Sequence, residues 1–193
     1  MLRREAFKTG LALLTTFGLG STVYPAWVTA SQIPVATEVC GLRTKLASVL
    51  RSMDNQACVA VAARLEASKG QEAVSLHLRG AQLTESGVLR IADALAALTE
   101  GEASSLASLS LSYNGAIGDA GAISLAHALP RGLPELGLVG CNVGDTGGAA
   151  LLDWARRATR LRMLCIEGNN FSHQTRTRFG MLRRKNPHLS VYV

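Results

Sequence analysis

The sequence predicts an α/β solenoid, with parallel strands along one side and helices packed on the other. A short strand pattern, with two apolar residues one position apart, recurs with its second apolar residue at Leu78, Leu111, Leu138 and Ile166. Between these strands lie stretches with apolar residues at helical spacing. A helix between two strands lets the chain cross back, so consecutive strands run parallel.

Each strand pattern stands in the same frame of surrounding residues. The four segments are Ala73–Leu78 followed by Leu83, Leu106–Leu111 followed by Asn114 and Ile117, Leu133–Leu138 followed by Cys141 and Val143, and Leu161–Ile166 followed by Asn169 and Phe171. The two apolar residues of each strand point to one side, because side chains alternate along a strand. The Asn or Cys that follows can satisfy backbone groups of the turn from inside.

Glycines open the predicted helices at Gly87, Gly121 and Gly147, and a basic helix is expected over residues 172–185. After it, Leu189, Val191 and Val193 alternate as a final strand. The whole pattern over residues 71–193 resembles the leucine-rich repeat in its ribonuclease-inhibitor-like variety. That resemblance implies an arc of four or five strands with a concave strand side and a convex helix side.

The chain divides into three predicted segments: an N-terminal basic and apolar segment (1–30), a helical cap (31–70) and the repeat domain (71–193). The first segment begins with Arg3, Arg4 and Lys8, and the next charged residue is Glu38. Three interpretations fit it: a cleaved secretory or twin-arginine signal, a mitochondrial presequence, or a retained transmembrane helix over residues 9–30. We expect the retained anchor, a single-pass membrane protein with its repeats on the oxidising side. That side is the mitochondrial intermembrane space or, alternatively, the bacterial periplasm.

Two cysteines in the predicted cap, Cys40 and Cys58, bracket one helical segment and precede another. If the two helices are antiparallel, a disulfide between them is possible in an oxidising compartment. We expect this bond, with Cys141 and Cys165 reduced. The alternative, in which Cys40 and Cys58 are reduced and fill small core positions, remains open.

Residues that usually perform chemistry do not come together in this pattern. His77 and Cys165 share the concave face, but three strand spacings of about 4.8 Å place them roughly 14 Å apart. Glycine-rich stretches lack the spacing and the lysine of a phosphate-binding loop. The sequence therefore predicts no catalytic residues, no cofactor, no metal and no small-molecule substrate.

The net charge of +6 is concentrated at the ends of the chain. Residues 151–193 carry nine basic and two acidic side chains, whereas residues 31–150 carry eight and eleven. We interpret the nine as a partner-binding surface for an acidic protein or anionic lipid headgroups, and a merely solvated helix face is the alternative. Nucleic acid is not expected, because no aromatic residues are interleaved. This C-terminal basic surface comprises Arg156, Arg157, Arg160, Arg162, Arg176, Arg178, Arg183, Arg184 and Lys185.

These features predict a non-catalytic protein-interaction subunit. We expect a membrane-anchored accessory component of a large membrane complex, of the respiratory-chain type in the mitochondrial inner membrane, that binds other subunits of that complex. The alternative is an exported bacterial recognition module that binds a ligand in its arc. An enzyme of unknown class is the third hypothesis.

Overall fold

The computed structural model describes residues 33–68 and 72–193. Two helices come first, and strands then alternate with helices. The elements are α1 (Ile33–Arg51), α2 (Gln56–Ala67), β1 (Val74–His77), α3 (Glu85–Ala96), α4 (Glu100–Ser104), β2 (Leu106–Ser110), α5 (Gly118–Ala128), β3 (Glu135–Gly137), α6 (Asp145–Arg157), β4 (Met163–Cys165), α7 (His173–Lys185) and β5 (Ser190–Tyr192).

The strands form one sheet in the order β1-β2-β3-β4-β5, and every pairing is parallel. Leu76, Leu109, Leu136 and Leu164 pair in a continuous ladder across the first four strands. All four side chains are buried, because the period of two turns them towards the helices. The predicted α/β solenoid is confirmed.

The helical pair α1–α2 packs at the β1 end of the array. Asn55 joins the pair to the first repeat: its side-chain oxygen accepts from Cys58 N–H at the start of α2, and its Nδ2 donates to the carbonyl of Ala81 at 2.7 Å. Leu42, Leu46 and Leu50 of α1 enter the same continuous core as the strand leucines. The predicted segment boundaries, at residues 30 and 70, fall outside the described ranges and stay predictions.

Helix α4 occupies a connection that the sequence pattern marks only as longer than its counterparts. Thr99 and Glu102 form a capping box that starts it. The Glu102 carboxylate is buried, and it accepts hydrogen bonds from Lys45 Nζ of α1 at 2.6 Å and from Thr99 N–H at 2.9 Å. This inserted turn therefore ties the N-terminal helices to the array by an ion pair.

The predicted transmembrane helix over residues 9–30 lies outside the described residues. Within residues 33–68 and 72–193, no helix combines the length and the apolar character needed to cross a bilayer. The longest of them, α1, has 19 residues and includes Glu38, Arg43, Lys45 and Arg51. The expectation of a single-pass membrane protein, with its repeats in the intermembrane space or periplasm, is corrected by this finding.

Asn114 joins the first repeat to the second. Its side-chain oxygen accepts from Leu83 N–H at 3.0 Å, and its Nδ2 donates to the carbonyls of Leu78 at 2.8 Å and Leu111 at 2.7 Å. The residue is buried, so these backbone groups have no access to water. One side chain thus satisfies polar groups of two repeats.

Asn169 makes the same arrangement further along the array. Its oxygen accepts from the N–H groups of Cys141 and Val143, and its Nδ2 donates to the carbonyls of Leu138 and Ile166. In the repeat between the two asparagines, Cys141 fills the equivalent slot, and its buried thiol donates to a carbonyl of the preceding repeat at 3.3 Å. The turn-satisfying role predicted for both asparagines is confirmed.

We predict that Asn114→Ala lowers the free energy of unfolding by about 2–4 kcal/mol, because it leaves several buried backbone groups without partners. Ser124→Ala is the matched control, since Ser124 bonds only within its own helix, and it should change stability by less than about 0.5 kcal/mol. Urea unfolding followed by circular dichroism measures both. Equal effects would show that the asparagine bonds do not hold neighbouring repeats together.

We also predict that the ion pair on α4 contributes to stability in a pH-dependent way. Desolvation acts to raise the pKa of Glu102, but hydrogen bonds from Lys45 and Thr99 outweigh it and hold the pKa below its ordinary value. The stabilisation is then complete above the unfolded pKa of about 4.3 and is lost as pH falls through the lower folded value.

Urea unfolding at several pH values tests this. Glu102→Gln should destabilise the protein most near neutral pH, and its difference from wild type should shrink as the medium becomes strongly acidic. Glu100→Gln is the control, because Glu100 is an exposed residue in the first turn of the same helix. Its free energy of unfolding should differ less from that of the wild type. A Glu102→Gln effect that does not vary with pH would contradict the assignment.

Candidate interaction surfaces

The outward positions of the strands lie in register across the concave face. One row contains Ser75, Ser108, Glu135, Met163 and Ser190, and the next contains His77, Ser110, Gly137, Cys165 and Tyr192. Most of these side chains are small. The surface therefore offers a shallow, mainly polar face with isolated large residues at its ends.

Cys165 is the thiol on this face, and its surroundings keep it protonated. Burial raises the pKa of the Cys165 thiol, and the carboxylates of Glu167 and Glu135 raise it further. The imidazole of His77 lies on β1, three strands away, and its Nε2 is 2.9 Å from Ser108 Oγ. The structure thus does not bring the imidazole to this thiol. No set of three or more His, Cys, Asp or Glu side chains in the described ranges is placed to hold a metal ion.

Cys40 and Cys58 are both free thiols in the structure, Cys40 exposed and Cys58 buried. Cys58 lies near the start of α2, next to the turn, whereas Cys40 lies in the first half of α1. At 1.5 Å rise per residue, this offset amounts to roughly 14 Å along the helical pair. A disulfide needs Cα atoms within about 7 Å. The expected bond is therefore not formed here; Cys141 and Cys165 are also free.

The residues of the C-terminal basic surface are all exposed. Five of them lie in the last turns of α6 and α7, where cations favour the negative end of the helix dipole. These five are Arg156, Arg157, Arg183, Arg184 and Lys185. Arg160 and Arg162 lie in the connection after α6, and Arg176 and Arg178 lie within α7.

A groove of about 590 Å³ lies between the end of α6 and the second half of α7, and we call it the α6–α7 groove. Its floor includes the buried Ala155, Leu182 and Leu189, and Met181 lines it with 54% of its surface exposed. Its charged or titratable lining residues are Arg156, Arg178, Lys185 and His188. Arg183 and Arg184 line a separate cavity of about 460 Å³ beside β5.

Few acidic groups lie near the cations of the α6–α7 groove. Arg156 pairs with Asp153 at 3.1 Å, and both side chains are more than half exposed. Arg178 acts on Asp145 at longer range: hydrogen bonds from Thr175 and Ser172 lower the pKa of Asp145, and the charge of Arg178 lowers it a little further. Within the described ranges, neither Arg178 nor Lys185 has a carboxylate within 4 Å.

Tyr113 is a feature that the sequence analysis missed. It occupies the left-handed backbone position, φ 62°, where the other repeats have Gly80, Gly140 and Gly168. Its ring is half exposed, and the guanidinium carbon of Arg79 lies 4.1 Å from the ring centroid. The signal in the sequence is a tyrosine in a slot that is glycine in the other three repeats. Left-handed backbone in a residue with a side chain costs roughly 1–2 kcal/mol.

Stacked strand–helix units joined by buried asparagines define a repeat solenoid, and comparison with known proteins identifies its class. A family model described as "Leucine Rich repeat" matches residues 103–126 and 133–152. The match covers two repeats, and together with the parallel sheet it is consistent with a short leucine-rich-repeat array. No curated protein sequence matches the chain.

Twenty chains of solved structures match the fold. One is "Leiomodin-1 Actin-Binding Site 2 (ABS2)", with a TM-score of 0.52, 12% sequence identity, and coverage of 85% of this chain and 78% of that one. At that identity the likeness shows the shared fold alone.

We predict that Tyr113→Gly leaves the free energy of unfolding within about 1 kcal/mol of wild type, because relief of left-handed strain offsets the lost ring contact. Tyr113→Val should lower it by more than about 1 kcal/mol, since a β-branched residue fits this conformation poorly. Thermal melts measure both variants. A glycine variant much less stable than the valine variant would show that the ring, and not the backbone, decides stability here.

Proposed function

We propose that this protein is a non-catalytic interaction module that binds an acidic protein partner through its C-terminal basic surface. The repeat array supports a protein–protein interaction role. The observation that carries the finer proposal is the α6–α7 groove, where cations border an apolar lining that includes the exposed Met181. A cluster of positive charges steers a negatively charged partner towards the surface. A small apolar contact then stabilises the bound partner.

The concave face supports this role less well. Half of the residues in its registered rows are Ser or Gly, and Met163 and Tyr192 are exposed near one end. Binding hot spots are enriched in Trp, Tyr and Arg. Tyr113 with Arg79 is the pair of that kind near this face, and it favours a second candidate: recognition of a partner at the edge of the arc.

The non-enzyme assignment rests on the chemistry of the described side chains. Cys165 has a raised thiol pKa and lies three strands from His77. Glu135 is paired with Met163, whereas Glu167 lies two residues beyond the end of β4. A nucleophile needs a base within hydrogen-bond reach, and these residues do not supply that pair.

The finer expectation, an accessory subunit of a membrane complex, depended on the apolar segment of residues 1–30. The described structure adds no support for it. The proposal therefore names the partner by its chemistry, an acidic protein surface, and not by the assembly that contains it.

We predict that replacing Arg176, Arg178, Arg183 and Arg184 with Glu releases the bound partner. The measurement is made at about 150 mM salt, because exposed charges more than about 8 Å apart are then largely screened and contacts at short range decide the result. All four are exposed, so the fold should be kept. Affinity purification from the native host, with quantitative mass spectrometry, measures the loss.

The matched control variant changes His77, Arg79 and Glu167 to Ala. If this variant loses the partner and the charge-reversed one keeps it, the concave face is the working surface. Binding of the wild type to a random duplex DNA, with the same dependence on the four arginines, would replace the acidic protein with nucleic acid.

A further inference from the structure

The α6–α7 groove has room for the side chains of a short segment. At about 30 Å³ for each water molecule, its volume of about 590 Å³ corresponds to roughly twenty waters, which is room for a few side chains. Its floor joins two consecutive repeats, because Ala155 lies in the last turn of α6 while Leu182 and Leu189 belong to α7 and the chain after it. Both walls are therefore set by the core of the array.

Met181 makes this groove unusual among the exposed parts of the last repeat. It is the exposed apolar side chain in the last two turns of α7, whose final turn contains Arg183, Arg184 and Lys185. More than half of its surface faces solvent, directly beside the groove. An exposed thioether among cations fits a partner that supplies both an apolar side chain and negative charge.

Charge also decides against groove-to-groove pairing of two copies of this chain. The groove contributes Arg156, Arg178 and Lys185, and two such grooves face to face would oppose six cations. Like charges held opposite each other weaken association. The complementary occupant is acidic.

We infer that the α6–α7 groove binds a short acidic peptide segment of the partner, with one apolar side chain on Met181 and carboxylates against Arg178 and Lys185. This inference rests on the proposed function and narrows it. Only the cations that line the groove recognise the segment. Arg160 and Arg162 do not line the groove and add only to the overall positive electrostatic potential of the C-terminal basic surface.

Fluorescence anisotropy with two labelled peptides tests the groove directly. One peptide has four Glu around a central Leu, and the other has Ser in place of that Leu. The Leu peptide should bind about fivefold more tightly, since it buries part of an apolar side chain. Met181→Ser should remove this preference while leaving affinity for the Ser peptide unchanged.

Two double variants with equal change in charge separate the groove from the overall positive electrostatic potential. Arg178→Glu with Lys185→Glu should weaken the Leu peptide by about tenfold or more. Arg160→Glu with Arg162→Glu should weaken it by less than about threefold, because these residues do not line the groove. Circular dichroism melts verify that all variants fold.

The results test the groove and the acidic partner separately. Equal losses in the two double variants would overturn the groove and leave the basic surface as the binding region. No binding of either peptide by the wild type at low salt would also overturn the groove. The co-purification experiment with the charge-reversed variant tests whether the C-terminal basic surface binds an acidic protein, independently of any peptide.

Discussion

Neighbouring repeats in this protein depend on one constraint: each turn after a strand buries backbone groups that its own repeat cannot satisfy. Asn114 and Asn169 supply the missing partners across the repeat boundary, and Cys141 supplies a weaker one between them. A buried polar group without a partner costs about 1–3 kcal/mol. The leucine ladder supplies the apolar contact between repeats. The asparagine hydrogen bonds determine which turn packs against which neighbouring turn.

A second set of contacts acts on the helix side. Asp119 accepts hydrogen bonds from the N–H groups of Gly144 and Gly147, and Asp145 accepts one from Ser172 N–H. Each aspartate lies in the first turn of its own helix and also caps the start of the next. Strand side and helix side are therefore both held by side chains that cross from one repeat to its neighbour.

The two ends of the array meet the same physical problem differently. At the β1 end, apolar surface is covered by α1 and α2, with Lys45 and Glu102 joining them to the inserted α4. At the β5 end, α7 presents a strongly basic surface, and terminal repeats need a polar outer face. Much of the C-terminal basic surface follows from this need and from the dipoles of α6 and α7. The exposed Met181 in the α6–α7 groove is not required by either, and the proposed peptide contact is centred on it.

The sequence alone determined the repeat, the parallel order of its strands and the role of its asparagines, because period-two apolar positions and turn residues are local signals. It did not determine which cations line the same groove. The positions of Arg156, Arg178 and Lys185 along the chain do not show that their side chains come together in the folded protein. It also did not show that Cys40 and Cys58 lie far apart or that Glu102 would be buried against Lys45. Those outcomes depend on how α1 crosses α2 and α4. Such contacts between distant segments are decided only when the core packs, because side-chain volume across the whole array sets the position of each helix.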